Sequence, residues 1–310
     1  MTNIVIRSIP FPYEEKFEQE IDALLINSDH IVIQSSELHD RTVDFIRRYQ
    51  HSKITYLLCG RVHGIDHGLW LDWFIRGTRL YKETTLLDHL NPYNTKPKAF
   101  DILLGLNRPH RDIIYTYINQ NNLNDRVVMT YINNRESIPM ENSDVYIWED
   151  GIELPNNNIK WTVTPVKYNN TTLTLSQVIP INIYNQSAYS VVAETNFSDN
   201  YVFHTEKIVK PILAERLFIV FGGVGYLNHL KDLGFKTFSN VIDESYDLEL
   251  DFRKRGKLIC EQIRFLIEQD QQEILEKIRP IVQHNKQIML TTDWSEQLSK
   301  ILSPIDNNVK

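Results

Sequence analysis

The sequence predicts an α/β protein of two domains, each with a parallel sheet, followed by a C-terminal helical segment. Short apolar runs of strand length alternate with segments of helical period, which is typical of β-α units and a parallel sheet. Residues 91–98 are rich in turn formers and break both patterns, so we place the domain connection there. The length of 310 residues also favours two domains over one.

The first domain is predicted to span residues 1–95, with strands over 30–34 and 54–59 and helices over 40–50 and 69–81. The second is predicted to span residues 98–285. Its predicted elements are strands over 99–106, 127–132, 189–193 and 217–221, and helices that start at Pro109 and over 206–216, 226–233 and 252–279. Residues 133–177 are asparagine-rich and predict an irregular insertion. Residues 286–310 predict a last short helix, near 293–301, and a tail.

Composition limits the classes of partner and compartment. The net charge of -7 disfavours general nucleic-acid binding, because proteins that grip phosphate backbones carry a basic face. The two cysteines, Cys59 and Cys260, form neither a disulfide framework nor a metal cluster, which favours a reducing compartment. Neither an export signal nor a run of about 18 apolar residues is visible. We therefore expect a cytoplasmic protein without a membrane span.

The stretch 194–207 has the layout of an anion-binding site. It follows an apolar strand with acid, amide and hydroxyl groups, among them Glu194, Asn196 and Tyr201, and enters a helix at Thr205-Glu206-Lys207. Thr205 can cap this helix, whose first N–H groups and positive dipole end favour a phosphate, while Lys207 adds a charge. Glu194 and Asn196 could bond ribose or sugar hydroxyls. The plainer interpretation is a helix cap with a solvated charge pair.

Two further strand-to-helix junctions are candidates for binding. Residues 105–111 (Gly-Leu-Asn-Arg-Pro-His-Arg) would let Arg111 and the helix start clamp phosphate oxygens, although Arg108 could instead pair with Asp112. Residues 222–225 (Gly-Gly-Val-Gly) would let the backbone of Gly222, Gly223 and Gly225 approach a ligand closely, but a tight turn explains them equally well.

A candidate general base lies in residues 60–68 (Gly-Arg-Val-His-Gly-Ile-Asp-His-Gly), directly after a predicted strand. The flanking glycines expose Asp66, His63 and His67. We name Asp66 first and the two histidines behind it, since a metal at this loop lacks a further ligand. Elsewhere the chain has no Walker loop, no serine-hydrolase elbow, no His-Glu-x-x-His and no Asp-x-Asp triplet, so a metal-bridged nucleotide-sugar site is disfavoured.

The order of these residues resembles the α1,3-fucosyltransferase type of glycosyltransferase, in which Phe-Glu-Asn-Ser precedes Tyr-x-Thr-Glu-Lys. The resemblance covers roughly residues 98–250. It implies a GT-B fold of two Rossmann-like domains, with the acceptor on the first, and it implies that Arg111, Asn196, Glu206 and Lys207 contact the diphosphate and ribose of the donor. This chain departs from the pattern with Glu-Thr-Asn for Glu-Asn-Ser, two additional residues before Thr-Glu-Lys, and Phe203 in the tyrosine's place.

The residues and the resemblance together predict an inverting, metal-independent glycosyltransferase without a cofactor. The donor would be a nucleotide sugar, GDP-fucose or related, and the acceptor a glycan or another hydroxyl compound. Two alternatives stay open: a nucleotide- or NAD-binding oxidoreductase that uses Gly222 to Gly225, and a non-catalytic α/β binding protein. The dinucleotide fingerprint would require different glycine spacing at the first β-α unit.

Overall fold

The computed structural model describes residues 3–132, 152–153, 165–168 and 171–295. It confirms an α/β protein with two four-stranded parallel sheets and helices packed on them. Within the described residues no helix combines the length and apolar character needed to cross a membrane.

The first sheet comes from the N-terminal part of the chain, and its strands follow one another in sequence order. They are β1 (Ile4–Ser8), β2 (His30–Ser35), β3 (Ile54–Leu58) and β5 (Gly68–Leu69), separated by α1 (Lys16–Asn27), α2 (Asp40–Arg48) and the short β4 (Gly60–Val62). The predicted strands and helix 40–50 are confirmed. The sequence analysis did not predict β1 and α1, although Phe17 and Ile21 form a buried stripe on α1.

The second sheet reverses its strand order in the middle. Its strands are β6 (Lys98–Leu106), β7 (Val127–Ile132), β11 (Ser187–Ala193) and β13 (Phe218–Phe221), in the spatial order β13, β11, β6, β7. The helices after these strands include α4 (Pro109–Gln120), α6 (Glu206–Leu213), α7 (Tyr226–Asp232) and α8 (Phe252–Glu268). The chain leaves β6 and β11 in opposite directions, and ligands of open parallel sheets bind at the carboxyl ends of such a strand pair.

Part of the predicted insertion at 133–177 lies outside the described residues. The described part forms a small antiparallel sheet of β8 (Ile152–Glu153), β9 (Pro165–Tyr168) and β10 (Thr171–Thr174). The short α5 (Ile181–Gln186) then leads into β11.

The two sheets are joined by exchanged elements. Strand β12 (Tyr201–Phe203) pairs antiparallel with β4, and its side chains Tyr201 and Phe203 pack into the hydrophobic core of the first sheet. In return, α3 (Asp72–Lys82) places Phe74, which is 0% exposed, against Phe235 and Trp294 in the core of the second sheet. The predicted domain boundary at residues 95–98 therefore stays a prediction, because packing crosses it in both directions.

The C-terminal helical segment is broken where one helix was predicted. Helix α8 ends at Glu268, and α9 (Gln271–Thr291) starts after Asp270, whose carboxylate accepts a hydrogen bond of 2.8 Å from the N–H of Glu273. This N-terminal cap begins a new helix, so the single helix predicted over 252–279 is in fact two helices. Of the short helix predicted near 293–301, residues 296–301 lie outside the described range.

A buried ion pair holds the amino end of the second sheet. Arg216 donates to Asp101 at 2.6 Å, and both side chains are 3% exposed. The guanidinium also donates to the hydroxyls of Ser187 and Ser190 and to three backbone carbonyls. Because several donors and acceptors are satisfied together, the pair is stable despite its burial.

Candidate functional site

Arg111 fastens the start of α4 to the end of β11. Its Nη2 donates to the carbonyls of Ala193 and Glu194, each at 3.1 Å, and the residue is 4% exposed. Burial, with Arg108 nearby, lowers the pKa of Arg111 to about 10. The structure thus gives Arg111 a positioning role at the strand reversal. Its predicted contact with a diphosphate stays a prediction.

Arg108 is the more open cation at the same place. It occupies the cap position of α4, is partly exposed, and its side chain forms no ion pair with any described residue. The alternative pairing with Asp112 is not formed, since Asp112 accepts a hydrogen bond of 2.6 Å from the Tyr131 hydroxyl. Arg108 contributes to lowering the pKa of both Arg111 and His110, so it lies close to them. An unneutralised cation at a helix start favours an anion.

Glu194 is bonded entirely within the protein. It is 0% exposed, and its carboxylate accepts hydrogen bonds from the Tyr226 hydroxyl at 2.7 Å, the Thr205 hydroxyl at 2.6 Å and the Thr205 N–H at 3.2 Å. Burial raises its pKa. These bonds hold the starts of α6 and α7 together, and the predicted contact with a sugar hydroxyl would require them to break.

The start of α6 has the predicted cap. The Thr205 hydroxyl accepts a hydrogen bond of 3.2 Å from the N–H of Lys207. The Lys207 ammonium lies 3.0 Å from Glu206 Oε1 and 3.2 Å from the Thr195 hydroxyl, and its side chain is 29% exposed. Burial alone would raise the pKa of Glu206, but Lys207 and Lys210 more than offset this and hold it below its usual value. Glu206 and Lys207 therefore form a fixed ion pair in which the lysine side chain is still partly exposed.

Asn196 and Tyr201 join the two parts of the chain. The amide of Asn196 donates to the Leu38 carbonyl, at the end of β2, at 2.5 Å. Tyr201 is 2% exposed and its hydroxyl bonds to Asp40 at the start of α2. The segment that follows β2 in the first sheet therefore meets the segment that follows β11 in the second, and the residues around this contact form the candidate site.

Glu37 is the residue that the sequence analysis missed. It follows β2, next to Leu38, and is partly buried. Burial and then the charge of Glu206 raise its pKa to about 7, against the opposing charges of Lys207 and Arg76. Glu37 thus lies within electrostatic reach of the Glu206–Lys207 pair. Its position directly after the predicted strand 30–34 was the available signal, since polar residues at the carboxyl ends of parallel strands line ligand sites.

The glycine turn 222–225 is filled by the protein itself. A Cβ on Gly223 would lie 2.2 Å from the Tyr201 carbonyl oxygen, and one on Gly222 would lie 2.6 Å from the Tyr226 ring. Gly225 adopts a φ of 77°, which favours glycine. Two N–H groups of the first turn of α7, those of Leu227 and Asn228, already donate to the Asp247 carboxylate at 2.8 and 3.3 Å. Gly222 and Gly223 therefore allow close packing against groups of the protein itself. The start of α7 binds the Asp247 carboxylate.

The loop that carries Asp66, His63 and His67 lies beside α7. His63 Nε2 is 3.1 Å from the Val224 carbonyl oxygen, and the two ring nitrogens of His67 are each 2.9 Å from backbone carbonyls of its own loop. Asp66 is exposed. Both histidines contribute to the lowered pKa of the buried His229. Within the described parts of the chain, no hydrogen bond or ion pair connects this loop to Lys207, so the predicted role of Asp66, His63 and His67 as general base stays a prediction.

The described residues contain no group of three or more His, Cys, Asp or Glu side chains arranged to hold a metal ion. Comparison with protein-family models gives no match, and comparison with curated proteins gives none either.

Proposed function

We propose that this chain is an inverting glycosyltransferase of the GT-B type, which moves a sugar from a nucleoside-diphosphate donor to a hydroxyl acceptor with Glu37 as general base. One observation carries the proposal. Glu37 follows β2, where the two parallel sheets meet, and lies within electrostatic reach of the Glu206–Lys207 ion pair, and burial and the charge of Glu206 raise its pKa to about 7. A GT-B enzyme places its donor and acceptor between two such sheet ends, as the sequence resemblance implies.

The leaving group would be stabilised from two helix starts. Departure of the sugar leaves negative charge on a diphosphate, and preorganised cations aimed at that charge lower the barrier. Lys207 at the start of α6 and Arg108 at the start of α4 supply cations on the two sides of the strand reversal. Arg111 holds the second of these helices in place through the carbonyls of Ala193 and Glu194. These groups would do the work that a metal ion does in other transferases.

The acceptor would be activated from the first sheet. Its hydroxyl oxygen attacks the anomeric carbon of the donor, and its proton passes to the Glu37 carboxylate. The bond from the anomeric carbon to the phosphate oxygen breaks, and its electron pair leaves with the diphosphate, so the configuration inverts. A general base works best when its pKa is close to the working pH, and burial together with Glu206 places Glu37 there.

The test is release of nucleoside diphosphate from a panel of nucleotide sugars, with a chelator present and with and without hydroxyl acceptors. We expect GDP release from GDP-fucose or a related GDP-sugar, or UDP release from a UDP-sugar. A thermal shift with the free nucleotides accompanies it. Stabilisation by NAD alone would favour the oxidoreductase, and no response to any nucleotide would favour a non-catalytic binding protein. Either outcome would overturn the proposal.

A further inference from the structure

Arg255 is a buried cation of α8 whose hydrogen bonds all go to backbone carbonyls. It is 2% exposed, and its Nη1 donates to the carbonyls of Gly222 at 2.6 Å and Phe197 at 3.3 Å, while Nε donates to that of Glu249 at 2.9 Å. Among the described residues it forms no ion pair. Burial lowers its pKa, against the attraction of nearby acids such as Asp247. Since Phe197 follows β11 and Gly222 follows the neighbouring β13, Arg255 ties the segments after two adjacent strands to each other.

Two carbonyls of the segment after β11 face buried donors. The Glu194 carbonyl accepts a hydrogen bond of 3.1 Å from Arg111 Nη2 and lies 2.9 Å from His110 Nε2. The Phe197 carbonyl accepts the bond from Arg255. All three donor side chains are buried. We call residues 194–199 the β11 loop, and these two of its carbonyls point into the protein.

Three N–H groups of the β11 loop point the opposite way. In a trans peptide the carbonyl and the following N–H are antiparallel within one plane. The carbonyls of Glu194 and Phe197 therefore direct the N–H groups of Thr195 and Ser198 away from the buried donors. The Ser198 carbonyl accepts a hydrogen bond of 3.1 Å from another backbone N–H and does the same for Asp199. None of the three N–H groups donates to a described residue.

The unbonded N–H groups adjoin the cation proposed for the leaving group. The Lys207 ammonium lies 3.2 Å from the Thr195 hydroxyl, on the residue with the first of these N–H groups. Thr195 and Ser198 are partly exposed and Asp199 is exposed, so a ligand can approach them. Backbone N–H groups that face one side of a turn form a site for an anion.

Charged side chains of both signs border the β11 loop in similar numbers. The cations are Arg47, Arg108, Arg111, Lys207 and Arg255, and the acids are Glu37, Asp40, Glu194, Asp199 and Glu206. Net charge therefore does not select the ligand. The backbone does, because the carbonyl oxygens that would attract a cation are turned inwards and the N–H groups that attract an anion are not.

We infer that Arg255 is a positioning residue that orients the β11 loop, and that the N–H groups of Thr195 and Ser198 bind the diphosphate oxygens of the donor beside Lys207. The assignment rests on the proposed function. The family resemblance implies side chains for this contact and includes neither Arg255 nor a backbone N–H. Donors held in place before the reaction stabilise the charge of the leaving group without having to reorganise.

The experiment is calorimetry on the full chain with inorganic pyrophosphate as the probe, in the wild type, Arg255→Lys and Arg216→Lys. Lysine keeps the charge but lacks the planar fork of donors that holds several carbonyls at once. Arg216 is the matched control, because it is also buried and also donates to backbone carbonyls, but at the amino end of the same sheet. In parallel, NMR of the ¹⁵N-labelled wild type follows the amide protons of Thr195 and Ser198 as pyrophosphate is added.

We expect the wild type to bind pyrophosphate and Arg255→Lys to bind it about tenfold more weakly, the effect of one misaligned hydrogen bond to a charged group. The affinity of Arg216→Lys should be unchanged. Both amide protons should move downfield in the wild type, a result that does not depend on how well any variant folds. Equal affinity in the two variants, amide protons that do not respond, or no pyrophosphate binding would overturn the inference.

Sugar transfer by the wild type separates this inference from the proposed function. Transfer from a nucleotide sugar, together with amide protons of Thr195 and Ser198 that do not respond, would contradict the inference alone. Amide protons that respond to pyrophosphate in a chain that transfers no sugar would contradict the proposed function alone.

Discussion

The two ends of the second sheet carry charged residues in contrasting arrangements. At the amino end, Arg216 and Asp101 are both 3% exposed, 2.6 Å apart and surrounded by further hydrogen-bond partners. At the carboxyl end, Lys207 is 29% exposed, Arg108 has no ion-pair partner among the described residues, and the nearby Glu37 has a pKa raised to about 7. The same strands β6 and β11 contribute to both ends.

The difference indicates separate tasks for the two ends. A closed cluster satisfies its own charges and leaves no capacity for a ligand, so it serves the fold. An open cluster has a cation without an ion-pair partner and a carboxylate with a raised pKa, and groups with perturbed pKa values gather at functional sites. Stability and activity should therefore respond to mutation at opposite ends of one sheet.

The largest effect on folding is expected from Arg216→Met. It leaves the buried Asp101 carboxylate without its partner, which should lower the free energy of unfolding by about 3–5 kcal/mol. Urea unfolding followed by circular dichroism measures this. Nucleotide binding, tested where the variant is still folded, should be unchanged. A stability loss below 1 kcal/mol would show that the amino end is not the closed cluster described above.

The next effect concerns activity. Lys207→Met removes the partly exposed cation at the start of α6 and should lower turnover about 10²-fold, as loss of a charge-stabilising donor does. Its stability should fall by less than that of Arg216→Met, because Lys210 still compensates the buried Glu206 carboxylate. Lys277→Met on α9 is the matched control, because Lys277 also pairs with a glutamate, Glu273, at 2.6 Å. Equal turnover in Lys207→Met and Lys277→Met would contradict a functional role for the carboxyl end of the second sheet.

A smaller effect concerns the pH dependence of stability. The pKa of Glu37 is about 7 in the folded chain and 4.5 in the absence of burial. Above pH 4.5 the unfolded chain therefore loses this proton more readily than the folded chain, and the folded state becomes less stable as the pH rises towards 7. Glu37→Gln should therefore raise the free energy of unfolding at pH 8 by at most about 3 kcal/mol, because one pKa unit corresponds to about 1.4 kcal/mol, and leave it unchanged at pH 4. Denaturant titrations at the two pH values provide the comparison. A destabilised variant at pH 8 would mean that Glu37 serves the fold.

Periodicity identified most of the fold, because buried strands such as β2 and β11 are short apolar runs between helices with clear stripes. The exchange of β12 and α3 between the two sheets could not be read from sequence. Tyr201 and Phe74 have ordinary apolar character, and only the three-dimensional packing decides which core they enter. The break at Asp270 lies in a continuous helical pattern, so its cap became visible only as a contact.

The candidate site was predictable in part. Thr205 as a helix cap follows from local chemistry, and the structure confirms it. Burial could not be foreseen for Glu194, whose carboxylate holds Thr205 and Tyr226. Glu37 was missed because a lone acid after a strand has no motif. Its raised pKa depends on burial and on Glu206, which is far away in sequence.

The most direct test of the central claim is the pH dependence of kcat/KM for sugar transfer, measured in the wild type and in Glu37→Gln. The account predicts an acidic limb with an apparent pKa near 7 in the wild type. In Glu37→Gln it predicts a rate lower by about 10³-fold and without that limb. A wild-type limb that persists unchanged in Glu37→Gln would contradict the assignment of Glu37 as the general base.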